Sequence, residues 1–138
     1  MTNSLYNSEG YKDPTAFEAL NNIEREQKRK VVFICSPFAG DIEGNTERAK
    51  RYGRFAVTER VVPIIPHLMY PQFLFDDDPA ERLLGIEMGM VLLTKCHELW
   101  VFGGHISSGM AVEIEEAKRQ NIPIRYFTSS CKPRGGYR

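Results

Sequence analysis

Short runs of apolar residues alternate with longer amphipathic stretches between about residues 30 and 127 of this 138-residue chain. The first run, Val31–Cys35, is continuous and rich in β-branched side chains, which is typical of a strand covered on both faces. Further strands are predicted at residues 61–65, 98–102 and 123–127, and intervening helices begin near residues 45, 80 and 108. Asn45 is the predicted N-cap of the first of these helices, and residues 66–79 are predicted to form a long loop. Because strands that alternate with helices run parallel, one three-layer α/β domain is predicted.

The predicted order of the four strands is 2-1-3-4, with room for a fifth strand beyond the fourth. Pro63 removes one main-chain donor from the second strand, which favours an edge position for that strand. In this order the winding direction reverses between the first and third strands, and ligands bind outside their carboxyl ends. The loops after Cys35 and Phe102 are therefore predicted to form a binding crevice.

This domain is predicted to occupy residues 30–128, between an N-terminal arm and helix (1–29) and a polar tail (129–138). The helix of the first segment has a narrow apolar stripe, formed by Phe17, Leu20 and Ile23. Because an exposed apolar stripe is normally buried against another surface, a homo-oligomer is predicted, in which a second subunit contacts the stripe.

Composition excludes several classes of function. Eighteen Lys and Arg residues balance eighteen Asp and Glu residues, so the chain lacks the positive field that drives non-specific nucleic-acid binding. No apolar run approaches the roughly 20 residues of a membrane span, and the polar start does not resemble a signal peptide. We therefore expect a cytoplasmic protein without nucleic-acid or membrane partners. The cysteines, Cys35, Cys96 and Cys131, show neither a disulfide framework nor a zinc motif.

No metal or cofactor is predicted. His67, His97 and His105 show no pair at the spacing of metal ligands. The consecutive carboxylates at residues 76–78 cannot all point one way, so they are interpreted as a solvated loop tip. The first-strand loop lacks the glycines of a dinucleotide fingerprint and of a phosphate-binding P-loop.

The loop after the third strand, GGHISSG, leads into a helix with Ser107 or Ser108 as its predicted N-cap. The free N–H groups at this helix end can bind an anion or a sugar hydroxyl. Glu113 lies one turn further and can point at the crevice. Taken alone, its position favours a simpler interpretation, an early-helix glutamate that the helix dipole stabilises by about 0.3–1 kcal/mol.

In the first-strand loop, Ser36, Phe38 and Asp41 can also face the crevice, although ordinary turn chemistry is the alternative explanation. A 5′-phosphate in the crevice would need a cation such as Arg48 beside the free N–H groups of the third-strand loop. Few cations are predicted near the crevice, and the carboxylates at residues 76–78 would repel a phosphate. An unphosphorylated nucleoside or nucleoside-like group is therefore favoured over a nucleotide.

Four segments together resemble a known family: CSPFAGD, PHLMYPQFLFDDD, KCHELWVFGGHISSGMAVEI and PIRYF. They are similar to an uncharacterised domain family of bacterial and mobile-element proteins, which is itself similar to the nucleoside 2-deoxyribosyltransferase superfamily. The resemblance covers about residues 30–127, and its most specific parts are the first-strand loop and S-x-G-M-x-x-E. It implies a flavodoxin-like, Rossmann-like fold and a glutamate nucleophile four residues after a glycine, a spacing that Gly109 and Glu113 match.

The resemblance implies a nucleoside 2-deoxyribosyltransferase or a nucleoside or nucleotide N-glycosidase. Glu113 would attack the anomeric carbon, the base would leave, and another base or water would resolve the glycosyl-enzyme. A nucleoside or nucleotide is thus the expected small-molecule partner, and relatives often complete the crevice with residues from a neighbouring subunit. The predicted substrate-binding residues are Ser36, Phe38, Asp41, Arg48, His67, Gly103, Ser107, Ser108, Gly109 and Met110.

The chain departs from this family where active members carry aspartates, in the helix before the third strand and at the start of that strand. It has Glu87 and the run Cys96-His97-Glu98 at those places. The alternative is therefore a non-catalytic module that kept the crevice and binds a nucleotide or an NAD-derived ligand. NAD is included because TIR-like domains combine a similar fold with a glutamate.

Overall fold

The computed structural model describes residues 14–26 and 29–134. Its helices are α1 (Pro14–Glu26), α2 (Ile42–Thr58), α3 (Pro66–Met69), α4 (Pro79–Thr94) and α5 (Ser108–Arg119), with a 3₁₀ turn at Tyr70–Gln72. Its strands are β1 (Val31–Cys35), β2 (Val62–Ile64), β3 (Glu98–Phe102) and β4 (Ile124–Phe127). No helix in the described ranges is long and apolar enough to cross a membrane.

The four strands form one parallel sheet in the order β2-β1-β3-β4, which confirms the predicted fold class and strand order. Pro63 lies opposite Val32 in β2, an edge strand, as its missing N–H favours. The central strands β1 and β3 pair Cys35 with Val101 near their carboxyl ends. From β1 the chain goes on to β2 on one side of the sheet, and from β3 it goes on to β4 on the other side. A crevice therefore forms between the carboxyl ends of β1 and β3.

Alternate side chains of the central strands enter two hydrophobic cores, one on each face of the sheet. On one face, Tyr52 of α2 stacks on Phe102 with 4.3 Å between the ring centroids. On the other face, Leu93 of α4 and Met110 of α5 share a core with Cys35. The sheet therefore lies between two helical layers, and α5 is held directly over the end of β1.

The start of α2 differs from the prediction, which had Asn45 as the N-cap. Asp41 is the N-cap, and its side chain accepts a hydrogen bond from the N–H of Gly44 at 3.1 Å. Asn45 is buried within the helix and donates its side-chain amide to the main-chain oxygens of Phe38 and Ala39. The prediction was wrong because Asp and Asn both cap helices, and here the asparagine braces the preceding loop instead.

The segment predicted as a long loop over residues 66–79 contains helical turns. Pro66 occupies the first position of α3, and the 3₁₀ turn follows directly. Asp78 is the N-cap of α4 and accepts a hydrogen bond from the N–H of Ala80 at 2.9 Å, so it is a helix cap as well as a solvated loop residue. Turns of three or four residues are too short to produce a helical period in the sequence.

The tail after β4 folds back on the sheet as far as it is described. Pro133 forms an antiparallel bridge with Phe127, and the N–H of Arg134 donates to the carbonyl of Tyr126 at 2.9 Å. The Arg134 guanidinium donates to the carbonyl of Gly103 at 2.8 Å. The tail therefore braces the loop that follows β3.

Candidate active site

A cavity of about 350 Å³ lies at the carboxyl ends of the central strands. Its walls come from the loop after β1, from α3 and the 3₁₀ turn, from α4, and from the start of α5. Eight of the eleven predicted site residues line it: Ser36, Phe38, His67, Ser107, Ser108, Gly109, Met110 and Glu113.

Glu113 lines the cavity from the second turn of α5 and is partly buried. The helix begins at Ser107, the N-cap, whose hydroxyl accepts a hydrogen bond from the N–H of Met110 at 3.3 Å. Burial raises the pKa of Glu113 from 4.5 to about 7, and a hydrogen bond with Cys35 acts in the opposite direction. The carboxyl group therefore titrates near neutral pH, as general acids, bases and carboxylate nucleophiles often do.

Cys35 lies beneath Glu113 and is fully buried. Its thiol donates a hydrogen bond to the main-chain oxygen of Met110, which lies 3.8 Å from Sγ. Burial, and then the nearby Glu113 carboxylate, raise the pKa of Cys35 well above 9. The thiol therefore stays protonated at neutral pH and acts as a hydrogen-bond donor.

Another wall of the cavity carries His67, which faces the first-strand loop. Its Nε2 is 3.3 Å from Ser36 Oγ, and its ring is tilted by 43° against the ring of Phe38. Burial lowers the pKa of His67 from 6.5 to about 4. His67 is thus neutral at pH 7, with one ring nitrogen able to donate a hydrogen bond and the other able to accept one.

The outer wall of the cavity consists of residues that were not predicted from the sequence. Tyr70, Asp76, Glu81 and Arg82 line it, and they come from the 3₁₀ turn, the following loop and the first turn of α4. The short helical turns bring this segment back over the crevice. A possible sequence signal was the aromatic and charged composition of residues 70–82, which is unusual for a plain connecting loop.

Asp41, Arg48 and Gly103 are not among the residues that line the cavity. Arg48 donates to Asn45 Oδ1 at 2.7 Å and contacts the Asp41 carboxylate at 3.4 Å. Its guanidinium therefore interacts with the first turns and the N-cap of α2. Gly103 has a φ of +96°, which permits the turn after β3, and its carbonyl accepts the bond from Arg134. These three residues shape the loops around the site.

Glu87, His97 and Glu98, which stand where the resemblance implies aspartates, are not among the residues that line the cavity. His97 accepts a hydrogen bond from the N–H of Val31 at 2.9 Å, at the amino end of the sheet. Glu98 pairs with Lys30 at 2.8 Å and accepts a bond from the Trp100 indole. Glu87 is exposed on α4. The described part of the chain brings together no three His, Cys, Asp or Glu side chains that could hold a metal ion.

Comparison with solved structures shows a similar fold in the 2-deoxyribosyltransferase of the psychrotolerant bacterium Bacillus psychrosaccharolyticus. The TM-score is 0.55 at 13% sequence identity, over 71% of this chain and 72% of that chain. That enzyme is described as a biocatalyst for the synthesis of antiviral and antitumoral nucleosides. Comparison with curated protein sequences gave no significant match. The profile of the domain of unknown function DUF7768 matches residues 30–127, and the chain therefore belongs to that family.

Proposed function

We propose that this protein breaks the N-glycosidic bond of a 2′-deoxynucleoside, as a deoxyribosyltransferase or an N-glycosidase, with Glu113 as the nucleophile. The observation that carries the proposal is the partly buried Glu113 carboxyl in a cavity at the switch point of the sheet. The fold shared with a 2-deoxyribosyltransferase supports the same reaction class. Perturbed carboxyl groups in such cavities are frequent sites of chemistry.

In the proposed reaction, ionised Glu113 attacks the anomeric carbon. A C–O ester bond forms as the C–N bond breaks, and the base leaves with the bonding electrons and takes up a proton from solvent. A second base or a water molecule then bonds to the anomeric carbon as the ester C–O bond breaks. The incoming group loses one proton to solvent and Glu113 is released as the carboxylate, so the two steps balance. A carboxylate suits this chemistry because the transition state at the sugar carbon has oxocarbenium character.

The neutral imidazole of His67 is proposed to hydrogen-bond the substrate opposite Glu113. Its contact with Ser36 Oγ orients the ring, and the neighbouring Phe38 provides an apolar surface for a base. The main-chain N–H groups at the start of α5, near Ser107 and Ser108, are proposed to bind sugar hydroxyls. Together these groups place the anomeric carbon beside the carboxylate.

The test is base release from a panel of deoxynucleosides, deoxynucleotides and NAD, followed by chromatography. Wild-type protein is expected to release a base from at least one deoxynucleoside, and the Glu113→Gln variant is expected to be slower by orders of magnitude. The matched control is Glu115→Gln on an exposed position of the same helix, which should retain the wild-type rate. Equal rates for wild type and Glu113→Gln would refute the nucleophile.

A specific observation favours a second function, a non-catalytic module that binds a nucleotide or an NAD-derived ligand. His97 and Glu98 are engaged at the amino end of the sheet, so they supply no carboxylate or imidazole to the cavity. Calorimetric binding of a ligand from the same panel, with no base released after long incubation, would support this function over the enzymatic one.

We propose an unphosphorylated nucleoside as the ligand. Asp76 and Glu81 line the outer wall of the cavity. Among the described residues, Arg82 is the one lysine or arginine that lines the cavity. The excess of carboxylates disfavours a phosphate dianion there. Calorimetric titration of a deoxynucleoside and its 5′-monophosphate tests this. Tighter binding of the monophosphate, weakened by Arg82→Gln, would contradict the proposal.

We also propose that the protein is a homo-oligomer. Four apolar side chains of α4, namely Leu83, Leu84, Ile86 and Val91, are 44–58% exposed in the single chain, and Phe17 and Leu20 of α1 are also exposed. A helix that is apolar around most of its circumference is normally covered. We propose that a second copy of the chain covers these side chains of α4. It would lie next to the part of the cavity wall that Arg82 and Ile86 form.

A further inference from the structure

We propose that Ser36 is a positioning residue, whose hydroxyl donates to Nε2 of His67 and so keeps the ring proton on Nδ1, where it can hydrogen-bond an acceptor atom of the substrate's base. The inference rests on the proposed function, because it names the atom of His67 that meets the substrate and the chemical feature that this atom recognises. The geometry of the Ser36–His67 pair and the burial of Ser36 carry it.

The parallel pairing of β1 and β2 brings these two side chains together. Ser36 directly follows the last residue of β1, and His67 is the second residue of α3, which begins two residues after the end of β2. Ser36 Oγ lies 3.3 Å from His67 Nε2, and both side chains line the cavity. The pair therefore forms part of the cavity wall at the carboxyl end of β1.

The burial of Ser36 indicates which atom donates in this contact. The residue is only 5% exposed, and a buried hydroxyl proton without an acceptor costs stability. In the part of the chain that the structure describes, His67 Nε2 is the acceptor within reach of this hydroxyl. If Nε2 carried the ring proton, the hydroxyl proton would lose that acceptor. We infer donation from Oγ to Nε2, which leaves the proton of the neutral imidazole on Nδ1.

The Nδ1–H group is available to a ligand. Nδ1 has no hydrogen-bond partner among residues 14–26 and 29–134, and it is not one of the buried polar atoms that lack a partner. The ring contacts Phe38, with 5.6 Å between the ring centroids, and Asn45 holds the main-chain oxygen of Phe38. Burial lowers the pKa of His67 to about 4, so the ring stays neutral at pH 7. The cavity thus has an N–H donor beside an aromatic surface.

This arrangement favours a planar ligand with an acceptor on its edge. Pyrimidine and purine bases have such acceptors, which are carbonyl oxygens and unprotonated ring nitrogens. As the C–N bond of the substrate breaks, negative charge develops on these atoms of the base. The hydrogen bond from Nδ1–H is therefore stronger in the transition state than in the bound substrate. His67 keeps its proton throughout, because the departing base takes up a proton from solvent.

The first test is ¹⁵N NMR of the imidazole nitrogens in wild-type protein at about pH 8.5, where neutral histidine predominates. His97 is the internal control, because its Nδ1 accepts from the N–H of Val31 at 2.9 Å and its own proton must lie on Nε2. We expect opposite tautomers, Nδ1–H for His67 and Nε2–H for His97. Loss of signals in His67→Asn assigns the spectrum. An Nε2–H tautomer of His67 would overturn the inference.

The second test measures the same spectrum in three serine variants. Ser36→Ala should shift His67 towards the Nε2–H tautomer, whereas Ser36→Thr, which keeps a hydroxyl, should retain Nδ1–H. The matched control is Ser130→Ala, at an exposed serine outside the cavity lining, which should leave His67 unchanged. An unchanged His67 tautomer in Ser36→Ala would refute the positioning role of Ser36. If Ser36→Ala does not fold, the wild-type spectrum still decides the direction of the hydrogen bond.

The third test measures kcat and KM for base release. His67→Phe, which lacks a donor, should lower kcat by roughly 10- to 100-fold with little change in KM, because the hydrogen bond strengthens as the base leaves. Ser36→Ala should lower kcat by roughly three- to tenfold, and Ser36→Thr should restore it. An increase in KM at unchanged kcat would contradict the transition-state contact. If wild-type protein releases no base, the proposed function fails, whereas the tautomer spectra still decide how Ser36 and His67 are paired.

Discussion

Burial shifts the pKa values of two cavity side chains in opposite directions. The pKa of Glu113 rises from 4.5 to about 7, whereas that of His67 falls from 6.5 to about 4. Both shifts have desolvation as their main cause, because a partly closed cavity disfavours a negative and a positive charge alike. At neutral pH the site therefore combines a neutral imidazole with a carboxyl group close to its midpoint.

The Glu113→Gln variant is expected to be more stable than wild type in alkaline solution. The folded pKa of Glu113 exceeds its unfolded value, so ionisation costs stability between about pH 4.5 and pH 7, and the full cost applies above that range. The gain at pH 8 should be roughly 1–3 kcal/mol, and it should vanish at pH 4. Urea unfolding of both proteins at the two pH values measures it. Equal stability at pH 8 would contradict the raised pKa.

The His67→Asn variant is expected to be more stable than wild type in acidic rather than alkaline solution. The folded pKa of His67 lies below its unfolded value, so wild-type protein loses stability as the pH falls from about 6.5 to about 4. In the variant this loss should be smaller by roughly 1–3 kcal/mol. The comparison uses unfolding free energies at pH 4.5 and pH 7.5, with His105→Asn, an exposed position, as the control. If His67→Asn lost as much stability as wild type between pH 7.5 and pH 4.5, the lowered pKa of His67 would not explain the acid sensitivity.

At the scale of the elements, α2 and the loop before it form one unit. Asn45 bonds the main-chain oxygens of Phe38 and Ala39 from inside the helix, and Arg48 donates to the Asn45 side chain. Phe38 and Ala39 also line the cavity. The position of the cavity wall therefore depends on a helix that contributes no side chain of its own to that wall.

Replacing Asn45 with Ala should lower both stability and ligand binding. The change removes two hydrogen bonds to loop carbonyls that are partly buried, at an expected cost of about 1–3 kcal/mol in unfolding free energy. Glu47→Ala is the control, because Glu47 is exposed on the same helix and forms an ion pair with Lys50 that is worth under about 1 kcal/mol. Thermal unfolding and calorimetry with the ligand found in the panel provide the measurements. Equal effects of the two substitutions would argue against the brace.

At the scale of the whole molecule, the single chain leaves much apolar surface uncovered around α4. Leu83 and Val91 are 56% and 58% exposed, and Phe73 and Phe75 before the helix are 62% and 69% exposed. Contiguous exposed apolar surface generally marks an interface. Ile86 of α4 is exposed and also lines the cavity, so the proposed second copy would lie beside the proposed site.

Light scattering at micromolar concentration is expected to give the mass of a dimer or a larger assembly. Val91→Glu should reduce that mass because it buries a charge in the proposed interface. Val57→Glu is the matched control, since Val57 is 50% exposed on α2, away from this surface. A monomer mass for wild type, unchanged by deletion of residues 1–28, would contradict the proposal.

The sequence by itself determined the fold class, the strand order and the edge position of β2. These features follow from local signals: continuous apolar runs, helical periodicity and the missing N–H of Pro63. Each signal depends only on residues that are neighbours in the chain. The same local signals located the ends of β1 and β3, and with them Ser36 and Glu113 as cavity residues.

Only the tertiary structure decided which side chains meet in the cavity. Arg82 lines it while Arg48 is held within α2, although each is an arginine near the start of a helix. The hydrogen bond from the Cys35 thiol to the main-chain oxygen of Met110 joins residues that lie far apart in the chain. Such contacts depend on how helices are rotated and packed on the sheet, and these rotations follow from the burial of every core residue at once rather than from any local pattern.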